Sequence, residues 1–147
     1  MEIKINEKVI EKYDEITIGV SGFKIDINEK QRDKIDKYIS ENITYLTSTD
    51  KISSLKESTQ LEKWKNVFER MQVKKGHESS VVFLSQYLYE NKKLFSVHPI
   101  VDLYNVISIK FGIPMGCYDK NSISEYIELR TAQKGEEFFL SLIHISE

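Results

Sequence analysis

Asp102, Asn105 and Ser108 stand three residues apart in an otherwise apolar run, PIVDLYNVISIKF. Positions at that spacing fall near one face of a helix. A carboxylate, a carboxamide and a hydroxyl on such a face must find partners, because each costs about 1–3 kcal/mol when buried and unpaired. Two outcomes satisfy that demand. Either the stripe lines a small polar pocket within the core, or it hydrogen-bonds neighbouring backbone and holds the fold together. Past the helix come a Gly-x-Pro-x-Gly breaker (Gly112, Pro114, Gly116), an acidic turn at Asp119, and two strand-like runs joined at Lys134-Gly135.

Other candidates for chemistry are weaker. His77, His98 and His144 show no metal-ligand spacing, and His98 precedes Pro99 at a helix start, the place of a capping or surface residue. Cys117 has no histidine close in sequence and reads either as a thiol nucleophile beside the pocket or as a small buried hydrophobe. Lys63, Lys65, Arg70, Lys74 and Lys75 offer phosphate contacts, but Glu62, Glu69 and Glu78 intersperse them as on a solvated helix face.

The elements that must hold these residues can be read along the chain. Residues 1–5 alternate like a short strand, 7–13 suit a helical turn or two, and 15–27 alternate as a strand broken near Gly19 or Gly22. Asn28 with Gln31 forms a capping-box pattern ahead of a helix over 29–42, with Ile35, Tyr38, Ile39, Asn42, Ile43 and Leu46 at helical spacing. Residues 44–58, rich in Ser and Thr, read as a loop or weak helix. Thr59 with Glu62 repeats the capping signature before a stripe of Leu61, Trp64, Val67, Phe68 and Met71. Ser79 is an N-cap for a helix to about Glu90 with Phe83, Leu84, Tyr87 and Leu88 inward. Pro99 opens the next helix and Gly112 and Pro114 close it. Strands over 126–131 and 137–143 follow, with Gly135 at the left-handed position of their turn.

At 147 residues the chain accommodates one sizeable core, a single domain over 1–147. Its 40% hydrophobic and 30% charged residues are those of a soluble globular protein. No apolar run approaches the ~20 residues that span a membrane. The lone cysteine excludes an internal disulfide and a cysteine-based zinc cluster. These features point to the cytoplasm. A net charge of −2 gives no overall attraction to DNA or RNA, so nucleic-acid contact would need local patches.

The runs VDLYN, GIPMGCYD and IELRTAQKGEEF, in that order, resemble the tRNA-editing (B-three/B-four) domain of the phenylalanyl-tRNA synthetase beta subunit, above all its free-standing bacterial relatives. The resemblance runs over about 61–142, with WKNVFERM (64–71) and the Ser79-Ser80 helix start as its upstream part. It implies an α+β fold, helices packed on a mixed β-sheet, with the family's last strands missing past Glu147. It puts Tyr104, Asn105, Gly116 and Cys117 at a substrate pocket, with Asn105 the catalytic candidate whose amide orients an ester carbonyl or a water. Asp102, Asp119, Arg130, Gly135 and Glu136 belong to the structural motif, with an Asp102–Arg130 ion pair as one arrangement.

The resemblance also implies a function. This is binding of aminoacyl-tRNA or a free amino acid, with ester hydrolysis of mischarged tRNA between Asn105 and backbone amides of the 112–116 turn, and no metal or organic cofactor. Gly116 stands where the synthetase has a histidine, and the family's tyrosine-recognising glutamate falls past residue 147. Both departures predict weak hydrolysis. They support the alternative of a non-catalytic small-ligand or protein-binding module, or an inactive remnant. An uncovered run over 138–143 would further predict self-association through an open strand edge.

Overall fold

The computed structural model describes residues 2–13, 15–72, 78–123 and 125–136. They are distributed over two compact units, one of Met1–Phe23 with Tyr118–Glu147, the other Lys24–Cys117. The class is α+β.

In the first unit, β1 (Glu2–Ile5) and β2 (Tyr126–Leu129) pair in parallel, Glu2 opposite Tyr126 and Ile5 opposite Leu129. The sheet of the described residues is therefore parallel and two-stranded rather than mixed. The Asn6 amide extends the ladder to the Leu129 carbonyl at 2.9 Å. The Asn6 side chain accepts from the Lys8 amide and so caps α1 (Glu7–Lys12). The expected strand over 137–143 lies outside the described residues, as do Lys74, Lys75, His77 and His144.

The second unit is helical: α2 (Glu29–Leu46), α3 (Thr49–Lys56), α4 (Thr59–Arg70), α5 (Ser80–Asn91) and α6 (Pro99–Phe111). The capping box at the head of α2 forms as its residues require, Asn28 accepting from the Gln31 amide and Gln31 from the Asn28 amide. One core joins Leu46, Leu84, Leu88 and Ile109, with Ile43, Leu55 and Leu94 around it. A second joins Leu61, Val81 and Val82 with Trp64. The left-handed Gly112 (φ 66°) ends α6. A Cβ there would meet the Gln60 Cβ at 2.9 Å, and the Trp64 indole N–H donates to the Gly112 carbonyl at 3.0 Å. The head of α4 is thereby fastened to the tail of α6.

Three expectations need correction. Residues 15–27 form no strand: Ile18, Val20, Phe23 and Ile25 are exposed, and none of them joins a ladder among the described residues. Alternation makes a strand only where a neighbour supplies hydrogen bonds and cover. Of the two readings of residues 44–58, loop or weak helix, it is mostly helix that forms, and its hydroxyls bond back within the turns: Thr44 to the Ser40 carbonyl, Thr47 to Ile43, Ser53 to Thr49 and Ser54 to Asp50. Ser58, not Thr59, occupies the N-cap of α4, without a side-chain bond, and Glu62 instead pairs with Lys65 at 2.6 Å. Phe83 points outward, 51% exposed, while Val81, Val82 and Ser85 join Leu84 and Leu88 inside.

Candidate functional site

The polar stripe of α6 divides. Ser108 turns into the core, 1% exposed, and its hydroxyl donates to the Ile113 carbonyl at 2.6 Å, tying down the chain just past the helix. Asp102 and Asn105 face an open groove of about 350 Å³ between α2 and α6. Asp36, Ser40 and Thr44 of α2 supply its polar wall, and Ile39, Ile43 and Val106 its apolar floor. Leu94, Phe95 and Ser96, between α5 and α6, close one side.

Asp102 has two tasks there. One carboxylate oxygen accepts from the Ser96 hydroxyl at 2.6 Å and the other from the Val97 amide at 2.9 Å. It therefore holds the segment that forms the groove's side, while charge-assisted bonds of this kind leave lone pairs for a further donor. His98, directly before α6, accepts from the Ile100 amide through Nδ1 at 3.3 Å and caps the same turn.

Asn105 differs from Asn42 on the same α2–α6 seam. Asn42 on α2 is buried; its amide donates to the Tyr38 carbonyl at 2.8 Å and its oxygen accepts from the Lys110 ammonium at 2.8 Å. Asn105 is half-buried, and its carboxamide makes no hydrogen bond within the protein among the described residues. A donor and an acceptor thus stand open on the groove wall.

Several expected neighbours are elsewhere. Gly116 and Cys117 are exposed and do not line this groove, nor does the 112–116 turn, so its amides cannot oppose Asn105 there. The reason is geometric: Asn105 lies two helical turns before Gly112, roughly 10 Å along the axis. Tyr104, half-buried, is also off the groove lining. The partners of Asp102 are Ser96 and Val97 and that of Arg130 is Glu136, each within its own unit.

The downstream motif forms a clasp in the first unit. Arg130 donates through Nη1 to Glu136 Oε2 at 2.8 Å and through Nη2 to Oε1 at 2.5 Å, and the Gln133 amide donates to Oε2 at 2.6 Å. Gly135 at φ 91° turns the chain so that Glu136 can reach back. The guanidinium, with the Gln133 amide second, holds the Glu136 carboxyl down at about 2, and Glu136 raises Arg130 in turn. Asp119 accepts from the Asn121 amide at 2.9 Å and caps the short 3-10 turn Lys120–Ser122.

Asp36, Ser40, Thr44, Phe95 and Ser96 were not singled out from sequence. Asp36, Ser40 and Thr44 are four residues apart, a polar stripe along one helical face beside Ile39 and Ile43. That spacing is the legible counterpart of the stripe on α6. Among the described residues no group of three His, Cys, Asp or Glu side chains could hold a metal ion, and no helix is long and apolar enough to cross a membrane.

The helical unit, with its groove along α6, and the unit of the two parallel strands, with its Arg-Gly-Glu clasp, make up an α+β chain. The family model of the B3/4 domain matches residues 63–142, more than half of the chain, and the chain belongs to that family. Over 45 residues it is 40% identical to the phenylalanine–tRNA ligase beta subunits of two Haemophilus influenzae strains, a stretch that is 31% of this chain. The match spans only 6% of the length of those relatives. No solved structure matches the chain.

Proposed function

We propose that the α2–α6 groove binds the aminoacyl end of an aminoacyl-tRNA. The observation that carries this reading is the unpaired Asn105 carboxamide, open to the groove on a helix inside the B3/4 region. A cavity of about 350 Å³ is in the range of small-molecule sites, which run from about 300 to 1,000 Å³. Ile39, Ile43, Leu94, Phe95 and Val106 offer apolar surface to an amino-acid side chain. Asp36 and Asp102 offer negative charge to an α-ammonium, although Asp36 shares its charge with Arg32 at 3.9 Å. The Asn105 amide N–H then donates to the ester carbonyl.

The same charges set a preference. No lysine or arginine is among the groove's lining residues, so a free amino acid brings its carboxylate against two like charges. Esterification removes that carboxylate and leaves a cation. Esters and amides of amino acids therefore bind more tightly than free amino acids. Hydrolysis is slow by comparison, since several oriented donors are needed to stabilise an oxyanion and Asn105 is one. The names of the matched relatives, subunits of a tRNA ligase, support tRNA as the carrier.

Calorimetry with the methylamides of phenylalanine and tyrosine, beside the free amino acids, tests the reading. Saturable binding of a methylamide, weaker for the free acid, supports it. Absence of binding by any of them at millimolar concentration sinks it. Tyrosine-charged, phenylalanine-specific tRNA incubated with the protein should be deacylated little faster than in buffer.

A further inference from the structure

Phe83, Tyr87 and Phe95 form a cluster of rings at the side of the groove. Tyr87 and Phe95 meet edge to face with centroids 5.3 Å apart, and Phe83 lies 6.2 Å from Tyr87 and 6.5 Å from Phe95. The cluster is not core: Phe83 is 51% exposed and Phe95 39%. Phe95 also lines the groove, so the ring surface and the groove are continuous. Two residues before Phe95, Lys93 is exposed in the segment that follows α5.

We infer that these rings are a stacking platform for the terminal nucleoside of the tRNA whose aminoacyl group occupies the groove. The inference rests on the groove reading above and names what lies beside it. Aminoacyl groups are esterified to the ribose of a terminal adenosine, so a base must lie within a few ångströms of the groove's mouth. A solvent-open ring face next to that mouth is suited to it, because aromatic side chains stack on any base without reading its sequence. Lys93 would meet the adjoining phosphate, a contact that weakens with salt.

The test compares two probes on the full chain by calorimetry: phenylalanine methylamide, and 3′-amino-3′-deoxyadenosine acylated with phenylalanine. The platform predicts at least about fivefold tighter binding of the adenosine compound, the factor expected of one stacked base. Phe83→Leu, which keeps apolar bulk but removes the ring, should abolish that factor and leave the methylamide unchanged. Phe83→Tyr should retain it. Equal affinity of the two probes, or an adenosine advantage indifferent to Phe83→Leu, overturns the inference while methylamide binding leaves the groove reading intact. Failure of both probes removes both. Tight, Phe83-dependent binding of the adenosine compound without methylamide binding also overturns the inference, because the rings would then hold a base with no aminoacyl group in the groove.

Discussion

The seam between α2 and α6 holds two asparagines in opposite conditions. Asn42 donates to the Tyr38 carbonyl and accepts from Lys110, so its polar capacity is spent within the protein. Asn105, on the facing helix, spends none among the described residues and opens on the groove. The same residue type on the same seam is structural in one place and available in the other. Hydrogen-bond saturation, more than residue identity, tells the two apart. The Arg130–Glu136 clasp repeats the lesson in the other unit: its motif residues are committed to each other, with the Gln133 amide added.

This contrast can be broken from its support inward. Gly112→Ala should have the largest effect. A side chain at φ 66° is strained, and its Cβ would be 2.9 Å from Gln60 where α4 and α6 are fastened. A loss of about 2–3 kcal/mol in chemical denaturation is expected, from the left-handed penalty and overpacking together. Asn42→Ala comes next: it removes the carboxamide that accepts from Lys110, leaving the ammonium only the Tyr38 ring among the described residues, and should cost about 1–2 kcal/mol in the same measurement.

Asp102→Ala should cost about 1 kcal/mol, because the Val97 amide and Ser96 hydroxyl lose their acceptor. It should also accelerate amide hydrogen exchange at Val97 and weaken groove ligands, whereas Asp102→Asn should recover part of both.

The smallest effect concerns the clasp and pH. The Glu136 carboxyl is lowered from an ordinary 4.5 to about 2, so it binds protons less readily folded than unfolded. Its contribution to stability is accordingly present above pH 4.5 and lost as pH falls through about 2. A carbon-detected titration should find its midpoint near 2, and Arg130→Gln should return it toward 4.5.

What the sequence made legible was local. The capping box at Asn28 and Gln31, the Pro99 start and Gly112 stop of α6 and the positive φ of Gly135 depend on neighbours within a few residues, and all are present. What escaped was decided by distant partners. Among the described residues the alternation over 15–27 meets no strand to pair with, and Phe83 faces outward because Val81, Leu84, Ser85 and Leu88 take the core. The candidate site was half legible: Asp102 and Asn105 do share one groove. Its other wall comes from α2, some sixty residues earlier, and no spacing on α6 could announce that.

Asn105→Ala, read for stability and binding together, tests the central claim most directly. A side chain with no hydrogen bond among the described residues should be removable at less than about 0.5 kcal/mol in thermal or chemical unfolding. The same substitution should weaken phenylalanine methylamide about tenfold in calorimetry, the loss of one hydrogen bond in a partly enclosed site. Unchanged stability with lost affinity is the predicted result. A marked loss of stability, or full affinity without the carboxamide, would contradict the account and return Asn105 to the scaffold.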